Sequence, residues 1–324
     1  MKRRWSPEGE YEELSAIHAN DRENIKTAVV DLLCCTPPDV QKQLAEAVSI
    51  ISNFDFPDNW KNLLPQLVQQ AASDNPLMLR GVMLTANSIM KRFRYVAISD
   101  SDDLMIDLIE CLKGFQEVLL HSYRATWAKV VVTTDVAALK ILLETQRLMA
   151  RVYYSFNWPT IPEFFEDHLA EWLEVDASIL QYNNPALIDT DEDNESGPIE
   201  LLQAAVVENT NLYVEKYEEE FLPHMGTFTG SIWKLLMEVG PQPKLDSLAT
   251  QSIKFLTVVA GKTMHEGLFS DQVLQDIVQH IVIKNLTATE ADEELFEDNP
   301  VDYINKDFEG TDQGSRRRCA LDLV

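Results

Sequence analysis

Glycine is scarce in this sequence, with 11 residues among 324. Few tight turns with positive φ are therefore available, which argues against an all-β chain rich in hairpins. Long apolar runs are also lacking, because none approaches the roughly 18 residues of a membrane-spanning helix. The basic N-terminus, MKRRWSPEGE, has no apolar stretch behind it and so does not predict a signal peptide.

Basic residues are few relative to acidic ones, since 27 lysines and arginines stand against 53 aspartates and glutamates, for a net charge of −26. Nucleic acid and anionic membranes are poor partners for such a chain, because both are bound through lysine and arginine. A basic protein would instead be attracted to it. Simple solubility is the alternative explanation of the charge.

The sequence also lacks a recognisable centre for chemistry. The six histidines are scattered, without the spacing of a metal site. The stretch AGKT at 260–263 ends like a phosphate-binding loop, but position 256, where that loop needs glycine, holds leucine. We therefore predict no catalytic, cofactor-binding or metal-binding residues and no enzymatic activity.

The cysteines do not form a disulfide framework. Two of them are adjacent in an apolar helical run, which predicts reduced core thiols in a reducing compartment. The four cysteines are Cys34, Cys35, Cys111 and Cys319.

Apolar residues recur with a helical period along nearly the whole chain. A first amphipathic stripe, over 38–53, consists of Val40, Leu44, Ala47, Val48 and Ile51. Only Val130–Val132 resembles a strand, and it is too short to build a sheet. Similar stripes predict helices over 77–94, 103–127, 135–156, 161–182, 199–217, 221–239, 245–260 and 271–286.

The links between these helices are short, as in TPPD, SDNP, NWPTIP and GPQP. Short links between amphipathic helices give antiparallel pairs. FDFP at 54–57 is echoed by FNWP at 156–159, which indicates internal repetition. We therefore predict an all-α chain in which residues 1–324 form a single HEAT-repeat solenoid of about six to seven helix pairs.

The segment 58–95 follows the pattern of one HEAT repeat. Leu-Leu-Pro opens its first helix, and Pro65 is expected to kink or restart that helix. Asp74 is expected to cap the second helix, in which Ala86 allows close packing. The preceding FDFPDNW is interpreted as a corner between repeats, with Asp58 or Asn59 as the next cap.

Two acidic segments interrupt the helical pattern. DTDEDNE at 189–195 predicts a solvated loop. EADEELFED at 290–298 begins a polar insertion over about 288–315, longer than the other links, that ends in Arg316–Arg318. A long polar insertion in a compact array is more often functional than a short link.

The segment 41–68, with its NFDFPDNW corner, resembles the N-terminal repeats of the importin-β superfamily of nuclear transport receptors, and 77–95 continues the likeness. The segments 153–173, 215–236 and above all 291–324 resemble, within that superfamily, the exportin-2 or CAS type, which returns importin-α to the cytoplasm. The most specific stretch is FEGTD followed by three arginines.

This resemblance implies importin-β-like repeats over about 1–157 and exportin-type central repeats over about 158–324. It implies binding of Ran-GTP, importin-α and nuclear pore proteins, without a cofactor, by a receptor that shuttles between nucleus and cytoplasm through the nuclear envelope. It also implies that Met1 falls inside the second repeat of the family and that more than half of a full receptor is absent. The alternatives are an import receptor of the same superfamily and a HEAT scaffold that ignores nucleotide.

The insertion is the expected place of partner contact. Charge reversal there should slow association with a basic partner and flatten its salt dependence. The three arginines either bind a partner or hold the insertion by local ion pairs. The expected acidic contacts are Glu293, Glu294, Glu297, Asp298, Asp307 and Glu309, and the arginines are Arg316, Arg317 and Arg318.

Overall fold

The computed structural model describes Trp5 and residues 17–94, 102–187, 196–288, 290–308 and 315–324. These residues form helices and no strand. None of the described helices is long and apolar enough to cross a membrane. The predicted all-α class is confirmed.

The helices succeed one another with short links, as predicted. The first are α1 (Ala19–Cys35), α2 (Pro38–Asp55), α3 (Leu63–Ala71), α4 (Pro76–Met90), α5 (Asp102–Val130), α6 (Val136–Asn157), α7 (Glu163–Asp167) and α8 (Leu169–Gln181). The later ones are α9 (Pro198–Lys216), α10 (Glu218–Phe221), α11 (Met225–Glu238), α12 (Asp246–Ala260), α13 (Asp271–Asp276), α14 (Ile283–Leu286), α15 (Glu290–Asp298), α16 (Pro300–Phe308) and α17 (Arg316–Asp322). The π-helical residues Ile277–Val282 join α13 to α14.

The chain forms two compact units, Met1–Trp172 and Leu173–Val324. In the first unit α2, α4 and α6 lie side by side in one layer, and α1, α3 and α5 form the other. In the second unit α9, α12 and α17 form one layer, against which α11 and α14 pack. Consecutive helices thus pair across two layers, which is the stacking expected of a repeat protein.

Helix α2 buries part of the predicted stripe, since Val48 and Ile51 are in the core. Val40 is exposed, whereas its neighbour Gln41 is fully buried. The Gln41 side-chain amide donates hydrogen bonds to the carbonyls of Leu33 (2.8 Å) and Leu77 (2.9 Å), and its oxygen accepts one from Arg80 (2.6 Å). A buried amide with these partners satisfied is as acceptable in the interior as an apolar side chain.

The HEAT-like repeat forms with different caps. Asn75, rather than the predicted Asp74, caps α4 by accepting hydrogen bonds from the amides of Leu77 (3.0 Å) and Met78 (3.4 Å). Pro65 is the third residue of α3, within the first turn, where its missing amide is not needed. The proline therefore starts the helix rather than kinking it.

The FDFPDNW corner is buried where it joins the repeats. Phe56 and Trp60 are in the core. The buried carboxylate of Asp55 accepts hydrogen bonds from Trp5 Nε1 and Arg22 Nη2 and pairs with Lys26 Nζ, each at 3.2 Å. The predicted cap at Asp58 or Asn59 is wrong, because α3 begins only after Asn62.

Candidate partner-binding site

The acidic insertion is a helical hairpin over most of its described length. Helices α15 and α16 pack against each other. Asn299 links them and accepts a hydrogen bond from the Asp302 amide (3.3 Å), while Pro300 opens α16 with the fixed φ that suits a first helical position. Asn299 and Pro300 lie between two short amphipathic segments, and together they explain why the chain folds back on itself here. We call residues 290–308 the acidic hairpin.

Arg317 fastens the acidic hairpin to α17. Its Nη2 lies 2.9 Å from Asp292 Oδ2, and its Nη1 donates to the Tyr303 hydroxyl at 3.2 Å. The guanidinium also lies over the Tyr303 ring, 5.7 Å from its centroid. One arginine thus contacts both helices of the hairpin, because its planar fork can serve two partners at once.

Arg316 points in another direction, toward the start of α12. Its Nη1 donates to the carbonyl of Gly240 (2.9 Å), and its Nε lies 3.3 Å from Asp246 Oδ1. Burial lowers the pKa of Arg316, and Asp246 opposes that shift. Arg318 is exposed, and its amide donates to the capping hydroxyl of Ser315 (3.1 Å). Of the three arginines, Arg317 forms an ion pair with the insertion, whereas Arg316 pairs with Asp246 outside it.

The structure separates the predicted acidic contacts into three kinds. Glu293, Glu294, Glu297 and Asp298 are exposed on α15. Asp307 lies in α16, and its side chain is outside the described set. Glu309 lies outside the described residues. Whether these carboxylates contact a partner stays a prediction.

Sequence reasoning missed both the buried acid and the apolar residues of the acidic hairpin. Asp292 was counted among the acidic surface, but it is buried against Arg317. Phe296, Val301 and Ile304 are half exposed or more. Val301 and Ile304 are three positions apart, which is the spacing of residues on one face of a helix. This spacing was the signal in the sequence that could have revealed them.

Other titratable groups serve the packing of the second unit. Glu218 accepts hydrogen bonds from Lys262 Nζ (2.6 Å) and lies 3.1 Å from His265 Nε2. The hydrogen bond from Lys262 is the main cause that lowers the pKa of Glu218. Lys262 also donates to the Val214 carbonyl (2.6 Å), so the lysine of AGKT is bound within the protein. Among the described residues, no cluster of histidine, cysteine and carboxylate side chains could hold a metal ion.

Stacked pairs of antiparallel helices with a helical insertion define a repeat protein of the HEAT-solenoid class. The family model described as Cse1 matches residues 89–324. The chain belongs to the Cse1 family, and its resemblance to importin-β-superfamily exportins is thereby confirmed.

Curated relatives match along the chain. Proteins named exportin-2 from Danio rerio and Drosophila melanogaster are each 37% identical to it over the whole chain, which covers 33% of their length. The exportin-2 of Homo sapiens is 37% identical over 94% of the chain and 31% of its own length. The chain thus spans about a third of the length of the curated relatives it matches.

Solved structures match the fold. The exportin Cse1 in its cargo-free, cytoplasmic state superposes with a TM-score of 0.89 at 33% identity, over 95% of this chain and 33% of that one. Lph2, described as a bidirectional nuclear transport receptor of S. cerevisiae, superposes with a TM-score of 0.59 at 12% identity over 96% of this chain and 34% of that one. The second likeness shows the shared fold alone.

Proposed function

We propose that this chain acts within a nuclear export receptor that binds Ran-GTP together with importin-α and returns importin-α to the cytoplasm. The observation that carries the proposal is the match at 37% identity, along the entire chain, to proteins named exportin-2. Such a receptor shuttles between nucleus and cytoplasm and contacts nuclear pore proteins as it passes the nuclear envelope. It acts by binding and needs no catalytic group.

The acidic hairpin is the proposed partner contact of this chain. Its exposed carboxylates Glu293, Glu294, Glu297 and Asp298 attract a basic surface and speed its approach. Arg318, exposed on α17, adds a contact of opposite sign. Arg316 and Arg317 act indirectly, since their ion pairs hold α17 and the hairpin in place. The net charge of −26 likewise favours a partner with a basic surface.

The sign of the response to Ran tests the proposal. The full-length receptor that contains this chain is immobilised, and importin-α binding is measured by biolayer interferometry with Ran-GTP, with Ran-GDP and without Ran; the 324-residue chain alone is expected to bind both proteins weakly or not at all. Increased importin-α retention with Ran-GTP is expected, because an export receptor binds both proteins together. Release of importin-α by Ran-GTP would instead assign the chain to an import receptor. Indifference to the nucleotide would assign it to a scaffold.

A further inference from the structure

Helix α16 exposes two aliphatic residues to solvent. Val301 and Ile304, three positions apart and so on one helix face, are 63% and 50% exposed. Tyr303 contacts Arg317 instead, which places a polar contact on the side that faces the protein. A surface helix ordinarily turns its apolar stripe toward the core and its polar residues outward. Helix α16 instead exposes these two aliphatic residues together with Asp302.

Helix α15 exposes a third apolar residue. Phe296 is 52% exposed, and its ring packs edge-on against Tyr303 at 5.4 Å between centroids. We call Phe296, Val301 and Ile304 the hairpin face. Single exposed apolar residues are common on protein surfaces, but three of them in one short acidic hairpin mark a candidate interaction site.

The hairpin face is held in a fixed arrangement before any partner arrives. Arg317 bonds both helices, to Asp292 on α15 and Tyr303 on α16. The edge-on contact of Phe296 with Tyr303 adds a second link between them. Preorganised apolar side chains lose little conformational entropy on binding, so more of their buried area contributes to affinity.

Negative charge surrounds the hairpin face. Residues 290–308 contain eight aspartates and glutamates and one lysine. Glu293, Glu297 and Asp298 are exposed on α15, and Asp302 is exposed on α16. Apolar residues with carboxylates at their edges are complementary to a helix that carries leucine-like residues on one face and lysine or arginine beside them.

The charge also decides between possible occupants. A second copy of the chain that docked through the same face would place these carboxylates against one another, at a cost of like-charge contact. The segment DTDEDNE at 189–195 has the same sign and would be repelled for the same reason. Charge complementarity instead favours a basic segment of another protein.

We propose that the hairpin face binds a basic amphipathic helix of a partner protein. Its apolar side chains cover Phe296, Val301 and Ile304, and its lysine or arginine residues pair with the surrounding carboxylates. This inference rests on the proposed function, which makes the acidic hairpin a partner contact, and it adds the apolar face and the helical form of the partner.

The probe is a fluorescein-labelled synthetic helix of leucine and lysine with the leucines on one face. Its reference is a scrambled peptide of the same composition. Fluorescence anisotropy should show about tenfold tighter binding of the amphipathic peptide, the gain expected from burying one to two aliphatic side chains. The double substitution Val301→Ser/Ile304→Ser should remove that difference, and Phe296→Ser should reduce it. The matched control, Val131→Ser/Val132→Ser, changes two exposed valines of the first unit and should leave the difference between the two peptides unchanged.

Equal binding of the two peptides, or an unchanged difference in both the Val301→Ser/Ile304→Ser and Phe296→Ser variants, would overturn the inference. Self-association of the chain in sedimentation velocity that disappears in Val301→Ser/Ile304→Ser would also overturn it, by assigning the face to a second copy. The peptide assay contains neither Ran nor importin-α. If Ran-GTP did not change importin-α binding while the amphipathic peptide still bound more tightly than the scrambled one, the proposed function would be rejected and this inference would stand.

Discussion

Two regions of the chain are rich in aromatic and acidic residues and use them in opposite ways. The corner at 53–60 buries Phe56 and Trp60 and surrounds the carboxylate of Asp55 with an indole and two cationic side chains. The acidic hairpin displays Phe296 and most of its carboxylates to solvent. Composition alone does not distinguish a structural joint from a binding surface, whereas burial does.

The two regions nevertheless share one device. Each contains one acid whose buried carboxylate pairs with an arginine from a distant part of the chain: Asp55 with Arg22, and Asp292 with Arg317. In the corner this acid fixes α1 to the end of α2. In the hairpin it fixes only the hairpin, and the other acids remain exposed. The comparison predicts a large global effect at the corner and a local one at the hairpin.

The largest effect is expected for Asp55→Ala. Lys26, whose side chain is 4% exposed, loses its buried counter-charge, and the indole N–H of Trp5 loses its acceptor. Lys26 keeps Glu23 Oε1 (2.6 Å) and the Asn59 carbonyl (2.7 Å), so losing the buried acceptor shared by Trp5, Arg22 and Lys26 should cost about 2 kcal/mol of unfolding free energy. Urea unfolding followed by circular dichroism measures this loss.

The control for this substitution is Asp58→Ala, because Asp58 is exposed in the same corner. It should change the unfolding free energy by less than about 0.5 kcal/mol. Equal midpoints for Asp55→Ala and Asp58→Ala would show that the buried carboxylate does not hold the corner, and the contrast between the two regions would fail.

The helices could be predicted because apolar residues must return to one face every 3.6 positions, and this period is visible in the sequence. The prediction at 135–156 is met by α6, and that at 245–260 by α12. The predicted helix at 161–182 is two helices, since the chain leaves helical geometry at His168, whose Nδ1 lies 2.8 Å from the Phe164 carbonyl. A local departure of this kind leaves no mark on the apolar period.

Buried glutamines were the part of the packing that periodicity could not reveal. Gln41 bonds the Leu33 carbonyl of α1, Gln146 the Tyr123 carbonyl of α5 (3.1 Å), and Gln203 the Ile179 carbonyl of α8 (3.2 Å). In each case a buried amide on one helix reaches a backbone carbonyl of a neighbouring helix. A hydropathy pattern assigns such residues to the surface, so the predicted stripe of α2 does not include Gln41.

The acidic hairpin shows the same limit at the candidate site. Its position and charge followed from the sequence, because a run of acidic residues is evident there. Its helical form did not, since the acidic residues suggested a solvated insertion. The outward orientation of Val301 and Ile304 depends on the contact of Arg317 with Tyr303, a pair 14 residues apart that no local pattern reveals.

A smaller, local effect is expected for Arg317→Ala. The substitution removes the cation that pairs with Asp292 and the donor to Tyr303, while the layer formed by α9 and α12 keeps its contacts. Hydrogen exchange should show the opening free energy of α15 and α16 lowered by about 1–2 kcal/mol, with α12 unchanged.

Arg318→Ala is the matched control, since Arg318 is the next residue and is exposed. Arg318→Ala should leave the hydrogen exchange of α15 and α16 the same as in the unsubstituted chain. If Arg317→Ala destabilised α12 as strongly as α15, the hairpin would be part of the core of the second unit, and the comparison with the corner would lose its basis.

The smallest effect on stability is expected for Glu294→Gln/Glu297→Gln. Both side chains are exposed among other acidic residues, so neutralising them should change the unfolding free energy by less than about 0.5 kcal/mol. If the acidic hairpin steers a basic partner, the same variant should associate more slowly with the leucine–lysine helix at low salt and show a flatter dependence of rate on salt. Stopped-flow fluorescence at several ionic strengths measures both.

Glu46→Gln/Asp58→Gln, which neutralises two exposed acids of the first unit, controls for the loss of net charge. Equal rates and slopes for the two variants would reduce the exposed carboxylates of the hairpin to a solvated surface, while the buried Asp292 would keep its structural role.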